Sequence, residues 1–291
     1  MKIVRFIGGL GNQMFQQAFL IALEQTSGDK VYIDTSEYSR KQQHNGYELE
    51  RVFGIKNLEA NYKDISKFTC LFHNSLLNKI YTKLSFLRQS DIKEKHSYKY
   101  FPSILHQHKD GYYDGYWQCH KYFDTYRDII LKTFQFIEFT DNRNIKLSRM
   151  ISEDKNSVSI HIRRGDYLRH YLYNGLCGLD YYIAAIDKIK ELKGPKLNFY
   201  IFSNDTLWCK ENIIPCLESN RCIIVDWNQR ENSFRDMQLM SLCQNNIIAN
   251  SSFSWWAAYL NTKKDTVIIA PQKWINQPLE YSMQLPEWIL L

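Results

Sequence analysis

The chain opens on an apolar run over residues 2–7. The run breaks at Gly8-Gly9-Leu10-Gly11, after which Met14, Phe15, Ala18, Phe19, Ala22 and Leu23 recur at helical spacing until Gly28. Val31-Tyr32-Ile33-Asp34 is the next strand-like run. Strand, glycine turn, helix and strand in that order predict a βαβ opening and a parallel sheet. Residues 40–120 are less regular and rich in aromatics, with a further strand-like stretch over 111–119. Polar residues crowd 138–156, which marks a junction and predicts domains of 1–145 and 146–291. Beyond it, strands are predicted over 157–163, 197–203, 222–226, 247–250 and 266–270, separated by helical patterns over 181–192, 206–213, 234–244 and 253–260. That alternation predicts an α/β fold whose C-terminal domain is a doubly wound parallel sheet.

Composition narrows the class. Over 291 residues, hydrophobic positions make up 44% and charged ones 23%, with only 12 Gly and 6 Pro, so a disordered or collagen-like chain is excluded. The opening apolar run is too short for a signal peptide, and no apolar stretch reaches the roughly 18 residues that span a bilayer. A cytoplasmic protein is expected. The seven cysteines include no Cys-x-x-Cys pair and no zinc-like spacing with His, which predicts reduced, mostly buried thiols. A net charge of +6, from 37 Lys+Arg against 31 Asp+Glu, is mild for this length; it favours an anionic ligand and no nucleic acid.

Three constellations could carry chemistry. The first is Gly8-Gly9-Leu10-Gly11-Asn12-Gln13, between a strand and a helix, where backbone N–H groups approach a phosphate or a sugar. Gly9-x-Gly11, with Asp34 ending the next strand, invites an NAD-type oxidoreductase as the alternative reading. Met14 counts against it, standing where that fingerprint wants Gly or Ala. With or without a ligand, Asn12 is expected to cap the helix. The second constellation is 157–166. Alternation there sets Val158, Ile160 and Ile162 on one face and Ser159, His161 and Arg163 on the other, and Arg164 leaves at the strand's C-terminal end. Ligands bind at that end of open α/β sheets, and guanidinium forks match phosphate oxygens. Asp166 is placed to orient one arginine. The third is Asp236 with Asn250-Ser251-Ser252-Phe253-Ser254, where serines precede a helical pattern and a carboxylate could accept the N1–H and amino protons of guanine. No Asp-x-Asp or Asp-x-Glu occurs to hold a divalent cation on a diphosphate, nor any P-loop or nucleophile elbow, so no metal is expected.

Taken together, Gly8 to Phe15, His161-Ile162-Arg163-Arg164-Gly165-Asp166-Tyr167 and Asn250 to Ala257 resemble the three motifs of the α-1,2-fucosyltransferases, glycosyltransferase family 11. Asn45-Gly46-Tyr47-Glu48-Leu49, Asp114-Gly115-Tyr116-Trp117-Gln118 and Phe202-Ser203-Asn204-Asp205 are similar to further segments of the bacterial members. The resemblance implies a GT-B-like fold, with two Rossmann-type domains facing a cleft, the N-terminal one on the acceptor side and the C-terminal one binding the GDP-sugar. It implies inverting transfer of L-fucose from GDP-β-L-fucose to the 2-hydroxyl of a galactose-terminated acceptor, with no cofactor. Arg163 would meet the β-phosphate with Arg164 beside it, and His161 would lie near the nucleotide. Ser251, Ser252 and Phe253 would hold phosphate, and Gly11, Asn12 and Gln13 would approach the donor. Asp236 would read guanine; its sixteen-residue spacing to Ser252 is similar to that of the wider fucosyltransferase superfamily. Some core fucosyltransferases carry an acidic residue ten positions after the motif His, where this chain has Tyr171, so the catalytic base stays open among Asp166, His44 and Glu48.

The charge is also local. Residues 60–100 hold eight Lys/Arg against three Asp/Glu. Within 74–89, Leu76, Leu77, Ile80, Leu84 and Leu87 alternate with Lys79, Lys83 and Arg88, a basic amphipathic pattern that suits peripheral docking on anionic membrane. A surface helix packed on the first domain is the commoner meaning of such a pattern.

Overall fold

The computed structural model describes residues 1–40, 44–69, 91–94, 98–106, 109–279 and 283–291. The basic segment 74–89 and Cys70 lie outside the described residues. The six described cysteines are free thiols. No helix among the described residues is long and apolar enough to cross a membrane.

The chain divides into two compact units, Met1–Gln135 and Phe136–Leu291. Residues 137 and 138 are pinned inside the second unit, because the buried Arg235 guanidinium donates to the carbonyls of Ile137 and Glu138 at 2.7 Å each.

In the first unit, β1 (Lys2–Arg5) is flanked by β2 (Val31–Asp34) and β4 (Gly111–Asp114), with β3 (Asp91–Lys93) beyond β4. All the pairs are parallel. The strand-like stretch predicted over 111–119 stops at Asp114, where Gly115 begins a turn. β3 carries only one apolar residue and left no pattern to read. Helix Leu10–Ser27 crosses from β1 to β2 and ends at Gly28, whose N–H reaches Glu24 O. Its N-cap is Gly9, which has no side chain to accept a hydrogen bond, and Asn12 lies inside the first turn. The expected Asn12 cap is therefore not formed.

The second unit is a six-stranded parallel sheet ordered β10-β9-β8-β5-β6-β7. The strands are β5 (Ser157–Ile162), β6 (Asn198–Ser203), β7 (Arg221–Val225), β8 (Asn245–Ile247), β9 (Ile268–Ala270) and β10 (Ile289–Leu290). Ile160 pairs with both Ile201 and Ile247, so β5 is central. All six of its residues are buried, although alternation alone would suit a strand wet on one face. Parallel sheets are covered on both faces, and the two serines are satisfied internally: Ser159 Oγ accepts from Asn246 Nδ2 at 2.7 Å, and Ser157 Oγ accepts from Gln244 N at 2.8 Å, whereas His161 Nδ1 is buried without a hydrogen-bond partner. On the apolar face, Val158, Ile160 and Ile162 pack with Tyr182, Ile186 and Ile189 of helix Leu179–Lys193.

Candidate active site

Strand order in the second unit runs from β5 outward to β7 in one direction and from β8 to β10 in the other. The reversal thus falls between β5 and β8, the place where parallel α/β sheets open a crevice at their carboxyl ends. Arg163 and Arg164 leave β5 there, and the Ser251 turn follows β8. Arg163 Nη2 donates to Asp166 Oδ2 at 3.0 Å, and its Nε lies 2.9 Å from Asp166 Oδ1 as an ion-pair contact without a hydrogen bond. Arg164 Nε donates to Asp205 Oδ2 at 3.1 Å, and its guanidinium lies 4.1 Å from the centre of the Trp208 ring. Asp205 also caps the short helix after β6 through Trp208 N. Each arginine is thereby held at its base by one carboxylate. Burial pushes the Tyr167 phenol, in the same loop, up to about 12.

Asn204, at the end of β6, supports the same loop. Its Oδ1 accepts from Arg164 N at 2.9 Å, and a β-carbon on Gly165 would stand 2.5 Å from its Nδ2. Gly165→Ala is therefore expected to push the arginine loop off Asn204 and weaken binding of an anionic ligand at this loop about ten- to a hundredfold, since small misplacements at a reacting group carry that scale of loss. Titration of tryptophan fluorescence with inorganic pyrophosphate, with a melting curve to confirm folding, measures it.

Ser251 is the N-cap of helix Ser252–Tyr259, its Oγ accepting from Phe253 N at 3.3 Å. Phe253 lies 5.7 Å from the His161 ring. His161 is buried, and desolvation together with the Arg163 charge pushes its pKa down to about 3. It is a neutral imidazole, suited to packing and hydrogen bonding and unable to serve as a cation for phosphate.

Asp236 sits in the first turn of helix Phe234–Leu242, behind a relay of amides. Asn228 Nδ2 donates to Asp236 Oδ1 at 2.8 Å and to Asn144 Oδ1 at 3.2 Å. Asn144 Nδ2 returns bonds to Asn228 Oδ1 at 2.7 Å and to Asp141 Oδ2 at 2.8 Å, while Asn144 Oδ1 also accepts from Trp227 Nε1 at 2.9 Å. Both Nδ2 protons of each asparagine are thereby committed, so the direction of every amide is determined. Arg143 lies over the Trp227 ring at 4.3 Å. Burial pushes the Asp236 carboxyl up to about 8, opposed by the bond from Asn228. The side chain nevertheless keeps intermediate exposure, as a group that reads a ligand must.

In the first unit, three segments distant in sequence meet beyond β1 and β4, which are neighbours in that sheet. Gln13 is fully buried and donates to Gly8 O at 3.0 Å and Gly46 O at 2.8 Å, while its Oε1 accepts from Glu48 N at 2.8 Å. Gln118 Nε2 donates to Asn12 Oδ1 at 2.6 Å, and Gln16 Nε2 donates to Gly115 O at 3.1 Å. Gly8 takes a left-handed φ of 79°, and a β-carbon there would meet Asn12 Nδ2 at 2.5 Å, so the turn accepts only glycine. His44 packs on Gly9 at a distance that a β-carbon would crowd to 3.3 Å. Glu48 is buried and bonded by Arg51 at 2.6 Å and Asn45 at 3.3 Å, with burial raising its carboxyl pKa. Asp34, the ribose partner of the dinucleotide reading, has its oxygens on Tyr112 OH at 2.7 Å and Ser36 N at 2.9 Å.

Sequence reasoning missed Asn204, Asp205, Asn144, Trp227 and Asn228. Only the Phe202 to Asp205 segment carried a signal, and it named no role. Glu94 was missed as well. It stands just past β3, accepts from Tyr116 N at 2.8 Å, and has its carboxyl pushed up to about 7 by burial.

A family model described as Glycosyl transferase family 11 matches residues 1–291. The O-antigen biosynthesis glycosyltransferase WbnK of Escherichia coli is 30% identical, with 98% of each chain covered. An alpha-1,2-colitosyltransferase of Escherichia coli is 32% identical, over 94% of this chain and 92% of the relative. Among solved structures, the NodZ alpha-1,6-fucosyltransferase soaked with GDP-fucose matches with a TM-score of 0.52 at 15% identity, covering 89% of this chain and 92% of that one. That likeness is one of fold, GT-B-like with two parallel α/β sheets.

Proposed function

The chain belongs to glycosyltransferase family 11, and on that premise we propose that it transfers L-fucose from GDP-β-L-fucose to the 2-hydroxyl of a terminal galactose, with inversion and without a metal. The observation that carries the reading is the pair Arg163 and Arg164 leaving β5 at the strand-order reversal, beside the Ser251 cap. In this reading residues 146–291 take the GDP-sugar and residues 1–145 serve the acceptor side. Arg163, with Arg164 and the Ser251-Ser252-Phe253 turn, neutralises charge on the departing β-phosphate, where fixed donors stabilise a transition state without reorganising. Asp166 and Asp205 hold the two guanidinium groups so that their remaining N–H groups face the ligand. His161 packs near the nucleotide as a neutral ring, and Asp236 accepts from guanine. In the first unit Gly11 and Asn12 form the turn that approaches the donor, braced from inside by Gln13.

Fucose is a deoxy sugar whose glycosidic bond breaks readily through an oxocarbenium-like state, so leaving-group stabilisation dominates over base assistance. Surface-polysaccharide synthesis is the setting that the O-antigen relative supports. A colitosyl donor is the second reading, favoured by the 32% identical alpha-1,2-colitosyltransferase.

Incubation with GDP-fucose and a panel of β-galactosides in EDTA tests the reading. An α-1,2-fucosylated product with undiminished rate is expected. Transfer only after metal is restored would remove metal independence, and no transfer to any galactoside would remove the fucosyl-galactoside assignment.

A further inference from the structure

A recess of about 470 Å³ lies beyond the C-terminal end of β2 in the first unit, lined by residues of 34–39, Tyr47 and residues of 59–65. Its volume falls in the range of small-ligand sites. Its chemistry is distinctive. The lining contains three phenols (Tyr38, Tyr47 and Tyr62), the hydroxyls of Thr35, Ser36 and Ser39, the carboxylates of Asp34 and Glu59, and, among the described residues, no Lys or Arg. Two carboxylates disfavour a diphosphate, and the hydroxyls along the lining would lose hydrogen bonds against a lipid chain. A neutral polyol fits both conditions.

The polar groups are also preset. Thr35 donates its hydroxyl proton to Glu59 Oε1 at 3.0 Å, and Tyr38 donates its own to Gly8 O at 2.9 Å, so each presents lone pairs. Tyr47 OH accepts from Asn57 Nδ2 at 2.9 Å, which leaves its proton to donate. Burial keeps the Tyr38 and Tyr47 phenols protonated. The wall therefore offers both donors and acceptors, as sugar hydroxyls require, since each gives one proton and accepts two. At the mouth, Tyr62 is held 66% exposed, a flat apolar face in water. The Tyr38 bond to Gly8 makes the recess a direct neighbour of the glycine turn.

We propose that this recess binds a neutral sugar unit of the acceptor glycan, with Tyr62 stacking on the ring and Glu59 and the Tyr47 phenol bonding its hydroxyls. The proposal rests on the glycosyl-transfer reading above, and the experiment separates the two.

With lactose as the probe, saturation-transfer NMR of the whole chain without donor should show sugar signals that Tyr62→Ala removes and Tyr62→Phe retains. In steady-state assays Tyr62→Ala and Glu59→Gln should raise the KM for lactose about tenfold or more, with the KM for GDP-fucose moving less than about twofold, the signature of lost acceptor binding. Tyr62→Phe should stay near the wild type. Unchanged lactose KM and unchanged NMR signals in both Tyr62→Ala and Glu59→Gln would overturn the proposal. If the wild type turns over no GDP-fucose yet shows lactose signals that Tyr62→Ala abolishes, the recess stands and the donor assignment falls.

Discussion

Replacing Arg163 with Lys is expected to lower kcat by a hundredfold or more while the protein stays folded. The substitution keeps a positive charge at the end of β5 and removes the planar fork. Arg163 already commits Nη2 to Asp166 at 3.0 Å and still has other N–H groups to offer a phosphate. An ammonium has one centre and cannot serve both partners in fixed geometry. Loss of one preorganised donor at a developing anion costs about 3 kcal/mol, on the order of a hundredfold in rate. Steady-state kinetics with GDP-fucose, at saturating donor so that kcat is read by itself, checks it. Near-normal kcat would remove Arg163 from the leaving-group role. The side chain is one-third exposed, so its loss should leave the melting temperature nearly unchanged.

Asp236→Asn is expected to weaken GDP about a hundredfold and to leave the much weaker ADP binding unchanged. Asn228 presents an N–H to Oδ1 of residue 236, so an asparagine there keeps its oxygen toward Asn228 and turns its amide protons to the ligand. Guanine's N1–H and amino protons would then face donors, and a polar group left unpaired in a recess costs about 1–3 kcal/mol. Inosine diphosphate, which lacks the amino group, should bind the wild type less tightly than GDP and lose less on substitution. The pH dependence follows from the same carboxyl. Burial lifts it to about 8, and only the ionised form accepts both guanine protons, so GDP affinity in the wild type should rise between pH 6 and pH 8. Calorimetric titrations at several pH values measure both effects. A pH-independent GDP affinity, equal in wild type and Asp236→Asn, would sink the guanine-reading role.

Much of the second unit was legible because its signals are local. A central parallel strand is a continuous buried run, and 157–163 was readable to within one residue at its end. The arginines were visible because two cations directly after such a strand leave the sheet at its ligand-binding end. Polar residues inside the strand were the weak point. Ser159 and His161 look like a wet face in one dimension, whereas the sheet covers both faces and pairs Ser159 with Asn246, 87 positions away. The same limit applied to the Asn12 cap. A cap depends on which residue first turns helical, and the extended backbone at Gly9 moved that point upstream.

The sequence by itself determined the α/β class, five of the second unit's six strands with the helices between them, and the family, because hydrophobic periodicity and ordered motifs are properties of neighbours along the chain. Helix Asn142–Glu153 lay in a stretch whose polar residues read as a junction, and the two-residue β10 left no pattern. Only the tertiary structure decided which distant side chains serve them. The relay from Asn144 through Asn228 to Asp236 joins helix Asn142–Glu153, the loop after β7 and helix Phe234–Leu242, its first link alone spanning 84 positions. Asn204 and Asp205 reach the arginine loop from β6 across about 40. The first unit's turn is assembled the same way, from residues 8–16, 46–48 and 115–118. Such contacts leave no periodic trace, since a hydrogen bond between strand ends depends on sheet order and register, and these exist only once the chain has folded.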